Sequence, residues 1–115
     1  MSVTFTEEQI TDTLRKISLD GTLDAPSAMS IEDEFKAILM AKSTQVIVDL
    51  DNIDYMSSYG LRMLLVGAKT LNSKGGGLHL VAPNEHVMKV ITVAGYDQMF
   101  PVYETLEDAL QALGQ

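Results

Sequence analysis

The chain has 115 residues, 46% hydrophobic and 21% charged, so its length and composition fit one soluble domain built around its own core. Sixteen acidic residues against eight basic ones give a formal charge of −8, a balance that repels phosphate backbones and anionic bilayers and argues against nucleic-acid or membrane-surface binding. The absence of cysteine excludes disulfides and thiolate chemistry, and no apolar run approaches the roughly 20 residues that span a bilayer.

The first residues, Met-Ser-Val-Thr-Phe-Thr-Glu-Glu, lack the basic start and apolar run of a signal peptide, so a cytoplasmic protein is expected. Val3 to Thr6 and Thr13 to Leu19 read as short strands, with Glu7-Glu8-Gln9 as the turn between them. Asp20 to Asp24 is expected to break the second strand. Asp24 then makes a good N-cap with Pro26 in the first helical turn. Ile31, Phe35, Ile38 and Leu39 recur at helical spacing, which predicts a helix over 26–41.

Thr44 to Leu50 is a β-branched apolar run interrupted by Asp49, the pattern of a central strand covered on both faces. A second helix follows, with Leu61, Leu64, Leu65, Ala68 and Leu71 as its stripe and Lys74-Gly75-Gly76-Gly77 as its end. Leu78 to Ala82 predicts the next strand, and Pro83-Asn84 opens a third helix with Val87, Val90, Ile91 and Ala94 apolar. Gly95 stops that helix. A short strand near Phe100 to Tyr103 precedes a last helix from about Thr105. The order implies one α/β domain over 1–115, a mixed sheet with a parallel centre and about four helices packed against it.

The chemistry concentrates where the central strand meets the second helix. Tyr55-Met56-Ser57-Ser58-Tyr59-Gly60-Leu61 sets two hydroxyls beside backbone N–H groups that have no partner inside the helix and favour negative charge. A serine there can cap the helix, accept a phosphoryl group, or do each at different times. Met63 lies off the leucine stripe near Tyr59, Val66 and Gly67. It is either part of an exposed apolar face beside the serines or covered by a neighbouring helix. Met29, Met40, Met88 and Met99 read as core or border residues.

Asp49, Asp51 and Asp54 follow the same strand, and its Asp-x-Asp resembles the first motif of haloacid-dehalogenase-type phosphatases. Ile53 stands where that pattern has Thr or Val, and no later lysine and acidic motif supports it. The competing reading is a bend at Asp51-Asn52 with Asp54 solvated. His79 and His86 lack zinc-ligand spacing, the glycine triplet lacks the Lys-Ser or Lys-Thr of a P-loop, and no metal or cofactor is implied.

Four segments together resemble the STAS domain family of anti-sigma factor antagonists, bacterial partner-switching regulators. They are Gly21-Thr22-Leu23-Asp24, Val46 to Leu50 with Met56-Ser57-Ser58-Tyr59-Gly60-Leu61, Gly76-Gly77-Leu78-His79-Leu80-Val81, and Gly95 to Tyr103. The resemblance implies a STAS fold and a role as a binding protein rather than an enzyme. It implies docking on a serine kinase that doubles as the anti-sigma factor, phosphorylation at Ser58 that abolishes docking, and reversal by a phosphatase of the PP2C type. Ser57 stands where the family has Asp and Tyr59 where it has a small hydroxyl residue, which leaves Ser57 as a secondary acceptor. Asp24 is expected near the acceptor. Met56, Tyr59, Met63 and Val66 are expected at the partner surface. Without the family Asp, a scaffold subunit that is never phosphorylated stands as the alternative, and the Asp49/Asp51 phosphohydrolase as a more distant one.

Overall fold

The computed structural model describes residues 2–41 and 44–115. Its elements run β1 (Val3–Gln9), β2 (Leu14–Leu23), α1 (Ala25–Leu39), β3 (Gln45–Met56), α2 (Ser58–Ser73), β4 (Gly77–Val81), α3 (Glu85–Val93), a 3-10 turn (Tyr96–Gln98), β5 (Val102–Tyr103) and α4 (Leu106–Ala112). The strands lie side by side in the order β1-β2-β3-β4-β5. β1 is antiparallel to β2 and every other pair is parallel, which gives the expected mixed sheet with a parallel centre.

Alternation along the strands sorts the helices onto two faces. Val46, Val48 and Leu50 of β3 with Leu78 and Leu80 of β4 pack in the main core with Phe35, Leu64, Leu71, Val87 and Ile91, under α1, α2 and α3. Ile47 and Val81 join Leu14 and Ala109 in a second cluster, covered by α4. His79 is 9% exposed, stacks on Tyr103 of that second cluster, and has Nε2 2.8 Å from Gln45 Oε1. Its buried Nδ1 has no partner among the described residues, and burial lowers its pKa from the usual 6.5. Burial thus disfavours the protonated ring.

Four expectations need correction. Glu7-Glu8-Gln9 is strand, because β1 is an edge whose exposed polar residues still pair with Arg15 to Ile17. The turn lies further on, where Ile10 and Thr11 donate to Leu14 O. Asp20 to Leu23 does not break β2. Gly21 adopts φ +120, the register with β3 shifts on either side of it, and the strand resumes. Asp51-Asn52 makes no bend, since β3 continues to Met56 with Asn52 opposite Asp20. Met29, Met40 and Met99 are exposed rather than core or border residues, while Met88 lies at the border.

Candidate functional site

Three parallel strands deliver three helix N-termini to one rim of the sheet, each capped by a side chain from the connecting residue. Asp24 accepts from Ser27 N at 2.8 Å at the start of α1, and Asn84 accepts from Val87 N at 2.8 Å at the start of α3. Hydrogen bonds from the Ser27 side chain and from its backbone N–H hold the Asp24 carboxyl below its usual pKa. Asn84 also donates to Ile53 O at 3.1 Å, which ties α3 to the end of β3.

Between them lies the β3–α2 junction, where the two serines have different fates. Ser57 N and Ser57 Oγ both donate to Leu23 O at 2.9 Å, while Oγ accepts from Gly60 N at 3.1 Å. Its hydroxyl is fully committed to capping α2 and to tying α2 onto the end of β2. Close packing reinforces that tie, since a Cβ on Gly60 would lie 2.7 Å from Leu23 Cγ. Ser58 is the first residue of α2 and is exposed, and no hydrogen bond engages its hydroxyl among the described residues. Asp24 is bonded to the neighbourhood through its predecessor Leu23, its own carboxylate being turned to Ser27.

The charge around these N-termini is uneven. α1 is capped by the Asp24 carboxylate, α3 has Glu85 in its first turn, and α4 has Glu107 and Asp108. The cap of α2 is a serine and its first turn holds no acid, so its N-terminal partial positive charge meets no carboxylate of its own.

The expected partner surface is redistributed by tertiary packing. Met56 is 1% exposed and pairs with Leu23 inside the sheet, so it is core and not a contact residue. Met63 is 4% exposed because α1 covers it, which decides between the two readings of that side of α2. Tyr59 is half-buried and donates through its hydroxyl to Glu32 Oε1 at 3.1 Å and Oε2 at 3.2 Å, contacts that raise its pKa. Val66 is exposed at 44%. Tyr59, Met63 and Val66 line a groove of about 530 Å³ between α1 and α2, with Phe35 and Leu39 at its base.

On the other side of α2 a second groove, about 520 Å³, is lined by Ser58, Leu61, His86, Lys89, Val90, Val93 and Ala94. Val93 is 79% exposed there, and His86 stacks on Tyr55 with ring centroids 5.6 Å apart. Sequence alone gives His86 no zinc-ligand spacing and singles out neither Lys89 nor Val93. The signal was the i, i+3 spacing of His86 and Lys89, meaningful only once α3 is known to lie beside α2.

The three aspartates of β3 do not converge. Asp49 Oδ2 is 3.8 Å from Lys16 Nζ, Asp49 Oδ1 accepts from Asp51 N at 3.0 Å, and Asp54 accepts from Thr22 Oγ1 at 2.8 Å. Among the described residues no cluster of His, Cys, Asp and Glu is arranged to hold a metal ion. The phosphohydrolase reading loses its geometric basis. Nor is any helix of the described residues long and apolar enough to cross a membrane.

Such an arrangement defines a class: an α/β domain whose single sheet gathers several helix N-termini on one rim. The STAS domain model matches residues 6–109, and the chain belongs to the STAS domain family. BtrV of Bordetella bronchiseptica, provisionally named an anti-sigma factor antagonist, is 35% identical over 94 residues, covering 82% of this chain and 81% of that protein. The crystal structure of an anti-sigma factor antagonist from Mycobacterium paratuberculosis superposes with a TM-score of 0.89 at 29% identity, over 99% of this chain and 96% of the other. The anti-sigma factor antagonist SpoIIAA in its unphosphorylated form superposes with a TM-score of 0.81 at 25% identity, over 96% of each chain.

Proposed function

We propose that this chain is an anti-sigma factor antagonist, a binding protein whose docking on a serine kinase with anti-sigma activity is cancelled by phosphorylation of Ser58. One observation carries the reading: Ser58 stands exposed and unengaged at the first position of α2, while the hydroxyl of Ser57 is consumed by the cap. Ser58 is the acceptor and Ser57 the structural residue. The γ-phosphoryl of ATP passes to Ser58 Oγ as the bond to ADP breaks and the kinase takes the hydroxyl proton. A phosphatase of the PP2C type returns the serine. The chain is the substrate of both enzymes and works as one domain over 1–115.

Phosphorylation adds about −1.5 to −2 charges at neutral pH. The α2 N-terminus tolerates that charge within the monomer, whereas an apolar or acidic partner face does not, so the complex is lost while the fold stays. Val66 and the exposed edge of Tyr59 supply the apolar contact beside the switch.

Incubation with the partner kinase and ATP, followed by intact mass and peptide mapping, tests the assignment. One added phosphate on Ser58 is expected, and none with Ser58→Ala. No added mass would favour the scaffold alternative, which Ser57 in place of the family carboxylate supports. A phosphate on Ser57 would contradict its role as the cap.

A further inference from the structure

The groove between α2 and α3 has a composition at odds with the rest of the chain. Acidic residues outnumber basic ones sixteen to eight overall, yet among the described residues no carboxylate lines this groove and two nitrogen bases do. His86 and Lys89 lie three residues apart on α3, hence on one side of it, and Ser58 lines the same groove from α2. Lys89 makes no ion pair among the described residues, whereas Arg15 pairs with Glu7 and Lys16 with Asp49. Leu61, Val90 and Val93 complete the lining, and apolar walls strengthen a charge pair formed between them.

We propose that this groove is the intramolecular receptor for phosphorylated Ser58, with Lys89 and His86 of α3 holding the phosphate against the apolar wall. The proposal rests on the assignment of Ser58 as acceptor and adds what becomes of the phosphate afterwards. Its oxygens bridge α2 to α3, so the modified state withdraws the Lys89 charge and the His86 ring from the surface as well as adding negative charge. Glu85 in the first turn of α3 and Asp54 late in β3 lie outside the lining, Glu85 and Glu104 line a neighbouring groove that Lys89 also borders, and Arg62 lies on the α1 side of α2. Lys89 and His86 are positioning residues. Both are exposed, so their replacement leaves the core intact.

The test uses the full chain with phosphoserine installed at position 58 by semisynthesis, which removes any dependence on a kinase choosing that residue. The second ionisation of the phosphate, ordinarily near pH 6, is followed by ³¹P NMR. In the unsubstituted chain it is expected about half a pH unit lower than in Lys89→Ala, a roughly threefold change in acidity. Lys89→Arg restores the low value and His86→Ala raises it. Lys69→Ala, a change near the far end of α2, leaves it in place. An identical titration in the unsubstituted and Lys89→Ala chains would overturn the receptor while leaving Ser58 as the acceptor. Failure of the kinase assay would overturn the acceptor while the titration still reports on the groove.

Discussion

Along one flank, α2 is pressed so closely on its neighbours that neither Gly60 nor Gly67 has room for a methyl group. A Cβ at Gly60 would sit 2.7 Å from Leu23 Cγ, and one at Gly67 2.8 Å from Leu39 Cδ1. That flank buries Met63 and ties Tyr59 to Glu32 of α1. Along the other flank, toward α3, the helix meets a shallow groove that leaves Ser58 and Val93 exposed. One helix thus divides two tasks. Beneath the groove that Tyr59 and Val66 line, its α1 side holds the fold, and its α3 side is free to be modified without disturbing what holds it.

Substitutions separate the two flanks, and the largest effect belongs to the exposed one. Ser58→Asp should weaken partner binding about 100-fold or more relative to Ser58→Ala by calorimetric titration, since unmatched charge at an interface costs several kcal/mol. Neither variant should lose more than about a degree in melting temperature, and Ser58→Asp should melt slightly higher than Ser58→Ala, because the side chain is solvent-facing and an acid complements the α2 N-terminus. On the packed flank the order reverses. Gly60→Val should cost about 3 kcal/mol of folding stability in urea titration, since its side chain meets the Leu23 side chain and carbonyl. Loss of binding there would follow from loss of fold.

Ser57→Ala sharpens the contrast between adjacent hydroxyls. It removes the α2 cap and the side-chain bond to Leu23 O, for an expected cost of about 1–2 kcal/mol, where Ser58→Ala costs a few tenths. Smaller still is Tyr59→Phe, which removes the bonds to Glu32 from a half-buried position at the surface and should lower the urea midpoint by less than Ser57→Ala does.

The far face of the sheet supplies a pH control independent of either flank. His79 has its folded pKa lowered by burial from 6.5, so the unfolded chain takes up a proton that the folded chain refuses. Stability contributed by the neutral ring is present above pH 6.5 and declines as pH falls through that value toward the lowered folded one. His79→Gln should flatten that part of the stability profile, measured by urea midpoints across the range.

Helix starts were legible because capping is local chemistry. Asp24, Asn84 and Thr105 cap where the sequence suggests, with Pro26 in the first turn of α1. Strand ends were not. Glu7 to Gln9 and Asp51-Asn52 carry turn-forming residues, yet a neighbouring strand offers each segment backbone partners that local composition does not reveal. At the site, the hydroxyl pair and its helix N-terminus could be read directly, because strand, cap and helix are contiguous in sequence. The burial of Met56 and Met63 could not, since each is covered by residues distant in sequence, Leu23 on one side and α1 on the other. The α2–α3 groove was hidden for the same reason.

The decisive measurement is titration of the chain carrying phosphoserine at position 58 onto its kinase partner, beside the unmodified chain, with thermal unfolding of both. Lost or strongly reduced affinity with an unfolding transition no lower than that of the unmodified chain is the predicted pair of results. Equal affinity of the two forms would contradict a switch at Ser58.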